Sequence, residues 1–353
     1  MPGFHPNHAS TAPLPATIPT DIPYPHAKKK QPLRRALFLL LQMAVTAGIL
    51  AYVFRDSQQR SQMAAALRSA DLRWIALAIV VYSGVEALGA VRWCILLRVE
   101  GFRADWYSSL RQLLTAMFFN LYSPGLIGGD VIRLFYLAGE QPHRKPAALA
   151  AIFMDRMIGA VSLLFLAVIT LALRYSWLTG TSAAAWLVKV TILSLVGMAA
   201  AIIVVFAATF YGRCIPRSFP FSDKLSEVVE SFRRYRNRTR SLAVSLGVTL
   251  AAHVLYYLTY YCAARAMYHG EQVIGLADIF SIMPIVNTLV SLPVSFAGIG
   301  VREVIFETML GGLLGANSAV AVLIASTGFL VYAFWGMIGG LFFLVYPPKQ
   351  MES

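Results

Sequence analysis

The chain has 353 residues, of which 58% are hydrophobic and only 13% charged, with a mean hydropathy of +0.64. Soluble domains carry roughly a quarter charged residues, so a water-soluble globule is excluded and the composition is that of an integral membrane protein. Lys and Arg exceed Asp and Glu by 30 to 17, and in such a chain the excess reports orientation and headgroup contact rather than nucleic acid.

Residues 1–27 hold seven prolines without apolar periodicity, so residues 1–33 are predicted to be a disordered, Pro-rich, basic tail. Lys28, Lys29, Lys30, Arg34 and Arg35 then precede an uncharged run, Ala36–Phe54. That run is too long for a cleavable signal peptide and is read as a first membrane helix. Five further apolar stretches have the length of a span: Trp74–Leu97, Ala147–Leu173, Trp186–Phe210, Ser241–Ala264 and Ala319–Tyr346. Two more, Tyr107–Leu137 and Ala277–Leu314, are interrupted at their centres by Pro, Gly and charge. Irregular backbone at membrane depth survives only where protein or a wet cavity satisfies its peptide groups, so each is read as a re-entrant helical hairpin.

The expected fold is therefore an all-α polytopic membrane domain over residues 34–346, with six crossings and two re-entrant hairpins, followed by a short tail, 347–353. Residues 28–35 carry five basic residues and no acid, and Tyr211–Arg240 carries eight basic residues against three acids. Both regions belong on the cytoplasmic side. They share a side only if the first broken stretch enters and leaves on one face, which places both termini in the cytoplasm of a cell-membrane protein. The loop Arg55–Arg73, with four arginines and two aspartates, falls outside and runs against that rule. Ser222–Arg240 reads as a helix with Leu225, Val228, Val229 and Phe232 on one side. Its basic end, 233–240, is expected either to lie on anionic lipid headgroups or to be a solvated linker.

The first broken segment runs Asn120-Leu121-Tyr122-Ser123-Pro124-Gly125-Leu126-Ile127-Gly128-Gly129-Asp130-Val131-Ile132-Arg133, and the second runs from Asn287 through Pro293, Gly298 and Gly300 to Arg302 and Glu303. In both, Asn, Pro, paired glycines and charge follow in that order, a weak internal repeat. Pro removes a donor, Gly permits left-handed turns, and the helix that follows starts with free N–H groups suited to phosphate. Two such starts entering from opposite faces would meet near the midplane, as in transporters built from inverted repeats. Asp130 and Arg133, three apart, can pair on one helical face. Arg302 and Glu303 are adjacent, point apart, and need partners elsewhere.

These segments, with the Asp155-Arg156 pair opening the next span, resemble the transmembrane region of the lysylphosphatidylglycerol synthase and flippase family over roughly residues 34–346. The resemblance implies movement of a phospholipid, aminoacylated or otherwise modified, between leaflets. It places Asn120, Pro124, Gly128, Gly129, Asp130 and Arg133 in the first motif and Pro293, Gly298, Gly300, Arg302 and Glu303 in the second. Fused members continue into a soluble aminoacyl-transferring domain; here seven residues follow Tyr346, so the chain is expected not to synthesise the lipid.

Asn287, Asp155 and Arg156 complete the candidate substrate-binding set, with the hairpin helix starts holding phosphate and Arg133 and Arg302 neutralising it. Asp130 and Glu303 would orient those arginines or attract a cationic moiety. Set against this is a purely structural ion-pair network holding the broken helices. Glu86, inside the second span, reads as a buried interhelical hydrogen bond or a proton-coupling group; Arg92 reads as snorkelling, His253 as a satisfied core histidine, and Tyr256, Tyr257, Tyr260 and Tyr261 as an aromatic belt. No Gly-Lys dipeptide, HExxH or metal-spaced Cys/His set occurs, so neither a P-loop nor a metal or other cofactor is expected. Lipid translocation without a catalytic centre is the leading reading, with phospholipid as partner and self-association compatible with it. The alternatives are a non-transporting scaffold for an envelope-synthesis partner, and a membrane-embedded transferase using Asp130 or Glu303 as base.

Overall fold

A computed structural model of the chain describes residues 56–122, 128–211, 234–267, 274–292 and 296–347, with a few residues between 43 and 51. The tail, nearly all of the first expected span, Pro124, Pro293 and most of the basic segment lie outside the described residues. So does Cys214; Cys94 and Cys262 are buried free thiols. The elements in chain order are α1 (Ser57–Arg68), α2 (Leu72–Val99), α3 (Trp106–Tyr122), α4 (Gly128–Glu140), α5 (Lys145–Leu178), α6 (Ser182–Tyr211), α7 (Thr239–Met267) and α8 (Leu276–Val290). There follow α9 (Val301–Phe306), a π-helical turn (Glu307–Gly311), α10 (Gly312–Leu314) and α11 (Ser318–Val345).

Among the described residues, α2, α5, α6, α7 and α11 are long and apolar enough to cross a membrane. Each coincides with one of the expected spans. The 28 residues of α2 reach about 42 Å, beyond the ~30 Å hydrocarbon core. Polar caps set their ends. The Arg73 N–H donates to the Asp71 carboxylate at 2.9 Å, and the Ala319 N–H donates to Asn317 Oδ1 at 2.8 Å, each satisfying an orphan donor of a helix start. In α5, Arg174 leaves helical geometry at φ −127°, one residue past the Leu173 boundary read from composition. Leu193, Ile203 and Val204 of α6 and Leu341 and Leu344 of α11 are exposed, as befits surfaces whose solvent is lipid.

The interrupted stretches are short helix pairs. The 17 residues of α3 and 13 of α4 reach about 25 and 20 Å, so neither spans the core. Just past α4, Arg144 donates to the carbonyls of Gly101 at 2.9 Å and Glu100 at 2.5 Å, both just ahead of α3. The stretch therefore returns to the end of the bundle where it began. The α8–α10 pair does the same at the other end of α5: Arg174 bridges Asp278 of α8 at 2.9 Å, and Leu313 of α10 sits beside Gly180. Meanwhile Arg234 reaches Glu100 at 3.1 Å and the Tyr235 hydroxyl donates to the Leu96 carbonyl at 3.2 Å. The approach to α7 thus lies beside the end of α2, as the even crossing count between them requires.

The most extensive contacts join α2 to α7 and α3 to α11. Without a hydrophobic drive between helices in lipid, close approach of backbones supplies the attraction, and small residues permit it. On α11, Gly336, Gly339 and Gly340 face α3; a Cβ at Gly339 would land on the Leu114 carbonyl, and one at Gly340 would lie 2.7 Å from the Phe118 ring. A carbonyl cannot rotate away as a side chain can. Gly339→Ala is expected to cost about 1–3 kcal/mol and to lower the detergent-solubilised melting midpoint, whereas Gly197→Ala, where nothing lies within 4 Å, should leave it unchanged.

Candidate functional site

Two ionic groupings organise the interior. In the first, Asp155 of α5 is 4% exposed and accepts from Arg92 Nε of α2 at 2.6 Å and from Arg133 Nη1 of α4 at 2.9 Å. Arg92 also reaches Thr249 Oγ1 of α7 at 3.3 Å, and Arg133 lies over the Trp93 ring at 4.9 Å. One turn away in the sequence pattern, Asp130 receives a two-pronged bond from Arg156, Nε and Nη2 each at 2.9 Å, the geometry that matches guanidinium to carboxylate. The expected Asp130–Arg133 pair is present only loosely, at 3.9 Å. Arg92 does not snorkel: its head is consumed by Asp155, because a buried carboxylate outbids distant water.

The second grouping is the start of α9. Gly298 and Gly300 hold φ of +75° and +87°, the left-handed region glycine tolerates, and a Cβ at Gly298 would collide with Val290. Glu303 turns back so that Oε2 accepts the Gly300 N–H at 2.7 Å, and its Oε1 accepts from Ser326 Oγ of α11 at 3.4 Å. In the other hairpin the Gly129 N–H donates to Asn120 Oδ1 at 2.8 Å, and a Cβ on Gly129 would meet the Ala116 carbonyl at 2.6 Å. The helix starts expected to cradle phosphate thus already carry Asn120 and Glu303 as caps.

A cavity of about 380 Å³ opens between these groupings, within the range of about 300–1,000 Å³ usual for small-molecule sites. Of the predicted residues, Asn120, Arg133, Arg156, Asn287 and Arg302 line it. Gly129, Asp130, Asp155, Gly298, Gly300 and Glu303 stand behind, positioning that wall, with Gly128 as first residue of α4. The cavity lies at mid-helix depth. Glu86, His253 and Tyr332, all lining it, occupy the centres of the 28-residue α2, the 29-residue α7 and the 28-residue α11.

Arg302 differs from the other three lining arginines. It is 7% exposed, its guanidinium carbon sits 5.1 Å over the Phe329 ring, and its Nη1 has no hydrogen-bond partner. Among the described residues no carboxylate approaches it within salt-bridge distance. An unpartnered buried cation is costly, and an anion in the cavity would relieve that cost.

Several lining residues fell outside the predicted set. Tyr256 and Tyr260 face the cavity and Tyr260 is 1% exposed, so they are not the interfacial belt expected of the tyrosine run. The signal was periodicity: Thr249, His253, Tyr256 and Tyr260 on α7, and Tyr82, Glu86 and Gly89 on α2, recur at helical spacing as polar or small stripes. His253 is satisfied, with Nε2 3.1 Å from Ser162 Oγ, and it also lines the cavity. No cluster of three metal-ligating side chains occurs among the described residues.

The sequence model of the family described as Lysylphosphatidylglycerol synthase TM region matches residues 39–340. The chain belongs to that family. The family match covers both hairpins and every described span except the last five residues of α11. The chain is 22% identical over 335 residues to UPF0104 membrane protein PH1989 of Pyrococcus horikoshii, covering 87% of this chain and 96% of that one. A shorter match, 20% identical over 133 residues, covers 37% of this chain and 38% of UPF0104 membrane protein MJ1595 of Methanocaldococcus jannaschii.

Removing one partner from a buried ionic network leaves its counter-charges stranded. Asp155→Asn is expected to destabilise the fold by about 3–5 kcal/mol, read as a fall in melting midpoint. Asp56→Asn, at an exposed helix cap, should cost about 1 kcal/mol or less.

Proposed function

We propose that this family member carries the anionic headgroup of a phospholipid between the leaflets of a cell membrane, the acyl chains remaining in hydrocarbon. The observation that carries the reading is Arg302, a buried guanidinium with an unpartnered nitrogen and, among the described residues, no carboxylate at salt-bridge distance, in a cavity at the centres of three spanning helices. Ionisable groups at that depth cost about 2.5–3.5 kcal/mol each on insertion scales, and a wall of four arginines repays that cost when it receives phosphate. Hairpins entering from opposite ends of α5 suit a site approached alternately from two sides.

On this reading Arg302 is the primary phosphate ligand, with Arg133 supplying its remaining N–H and Asn120 and Asn287 bonding headgroup hydroxyls. The tyrosine-rich wall accommodates the glycerol backbone. The chain works as a transporter and makes or breaks no covalent bond, both termini lie in the cytoplasm, and the exposed Arg238 and Arg240 rest on anionic headgroups there.

The test is leaflet-resolved movement of fluorescent phosphatidylglycerol in proteoliposomes. Arg302→Gln should slow it about tenfold or more, the loss of a charge-assisted bond of ~1.5–3 kcal/mol, with an unchanged elution profile and melting curve. Arg238→Gln with Arg240→Gln, on exposed positions, should leave the rate near that of the wild type. Equal rates for Arg302→Gln and wild type would overturn the proposal.

A further inference from the structure

The cavity holds one carboxyl group that no arginine claims. Glu86 sits at the centre of α2, half-buried on the cavity wall, with Tyr82 one turn earlier on its own helix, and among the described residues it forms no salt bridge. The other three acids are committed: Asp155 to Arg92 and Arg133, Asp130 to Arg156, and Glu303 to the Gly300 N–H and Ser326. Facing Glu86 are Tyr82 and Arg92 of α2, Arg133 of α4 and Tyr332 of α11, with His253, Tyr256, Tyr260, Arg156 and Arg302 further round the wall. Among lining residues α3 contributes only Asn120 and apolar side chains.

Counting charges on this site decides what an arriving anion must bring. Arg92, Arg133, Arg156 and Arg302 balance Glu86, Asp130, Asp155 and Glu303, so the fully ionised site is neutral. A phosphodiester beside Arg302 adds one negative charge at a depth where an unbalanced charge is expensive. Protonating Asp130 or Asp155 would forfeit an arginine pair, and protonating Glu303 would weaken the cap of α9. His253 is already engaged, its Nε2 3.1 Å from Ser162 Oγ. Glu86 is the group that can accept one without giving up a cation.

We infer that anion entry is coupled to protonation of Glu86. As phosphate reaches Arg302, one proton from water forms an O–H bond on the Glu86 carboxylate; when the anion leaves, that proton returns to water. Headgroup and proton therefore move together, and a proton gradient drives the lipid. This rests on the reading of the cavity as an anionic-headgroup site and adds to it the coupling ion.

Calorimetric titration of the purified full chain with short-chain phosphatidylglycerol, at about pH 8 in two buffers of different ionisation enthalpy, counts protons per anion bound. The expected count is about one for the wild type and for Glu86→Asp, and below a tenth for Glu86→Gln at comparable affinity; melting curves check that each variant is folded. In proteoliposomes, an imposed pH gradient should change the wild-type rate and leave that of Glu86→Gln unaffected. Phosphatidylglycerol binding without proton uptake, or uptake that persists in Glu86→Gln, overturns the coupling and leaves the headgroup site standing. Glu86-dependent binding of short-chain phosphatidylethanolamine alone would assign Glu86 to the ligand's ammonium and overturn it as well. Absence of any anion binding overturns both the coupling and the proposed function.

Discussion

A charged group cannot be left unanswered in hydrocarbon, and Asp155 is where that constraint closes the structure. Its two oxygens bind arginines from two other helices, α2 and α4, and one of those arginines continues to α7. The first hairpin is a pair of helices too short to span, and ion pairs tie it to the neighbouring helix α5. Arg133 supplies one through Asp155, and Asp130 supplies a second through Arg156. Since attraction and desolvation nearly cancel for such networks, their worth lies in fixing which helix surfaces meet. The same grouping shapes the wall of the cavity it borders.

Much of the architecture was legible because the bilayer enforces it. Five apolar runs returned as five long helices, and the two interrupted runs returned as paired short ones, since Pro and Gly with charge inside an apolar stretch have few structural outcomes. The opposed entry of the hairpins was readable from charge parity. Partner choice was far less so. Asp130 and Arg133 are three residues apart and look paired, yet Asp130 takes its two-pronged bond from Arg156, 26 positions on. Arg92 looked like a side chain reaching for water until Asp155, 63 positions on, was found beside it. Pairing across helices depends on rotation and depth that no local spacing encodes.

The motif glycines illustrate a subtler gap. Gly-rich turns ahead of a helix suggest an open cradle for phosphate, but the following turn carries Asp130 in one hairpin and Glu303 in the other. Acidic residues in a first turn complement the helix dipole themselves. Those glycines serve close approach instead: Gly129 lets α4 touch the Ala116 carbonyl, and Gly298 passes Val290. The cation left over, Arg302, is thereby the distinctive group, recognisable only once its neighbours are known.

The hairpins also govern how the protein experiences voltage. They attach at opposite ends of α5, and the cavity lies at the centres of the long helices. A unit charge crossing the whole bilayer gains or loses about 2.3 kcal/mol per 100 mV. One travelling from a midplane cavity to either surface crosses about half of the field, and so about half of that energy. An anion that travels with a proton, as proposed above, carries no net charge through either half, so only an uncoupled charge in the cavity would feel the potential, and then through about half of it.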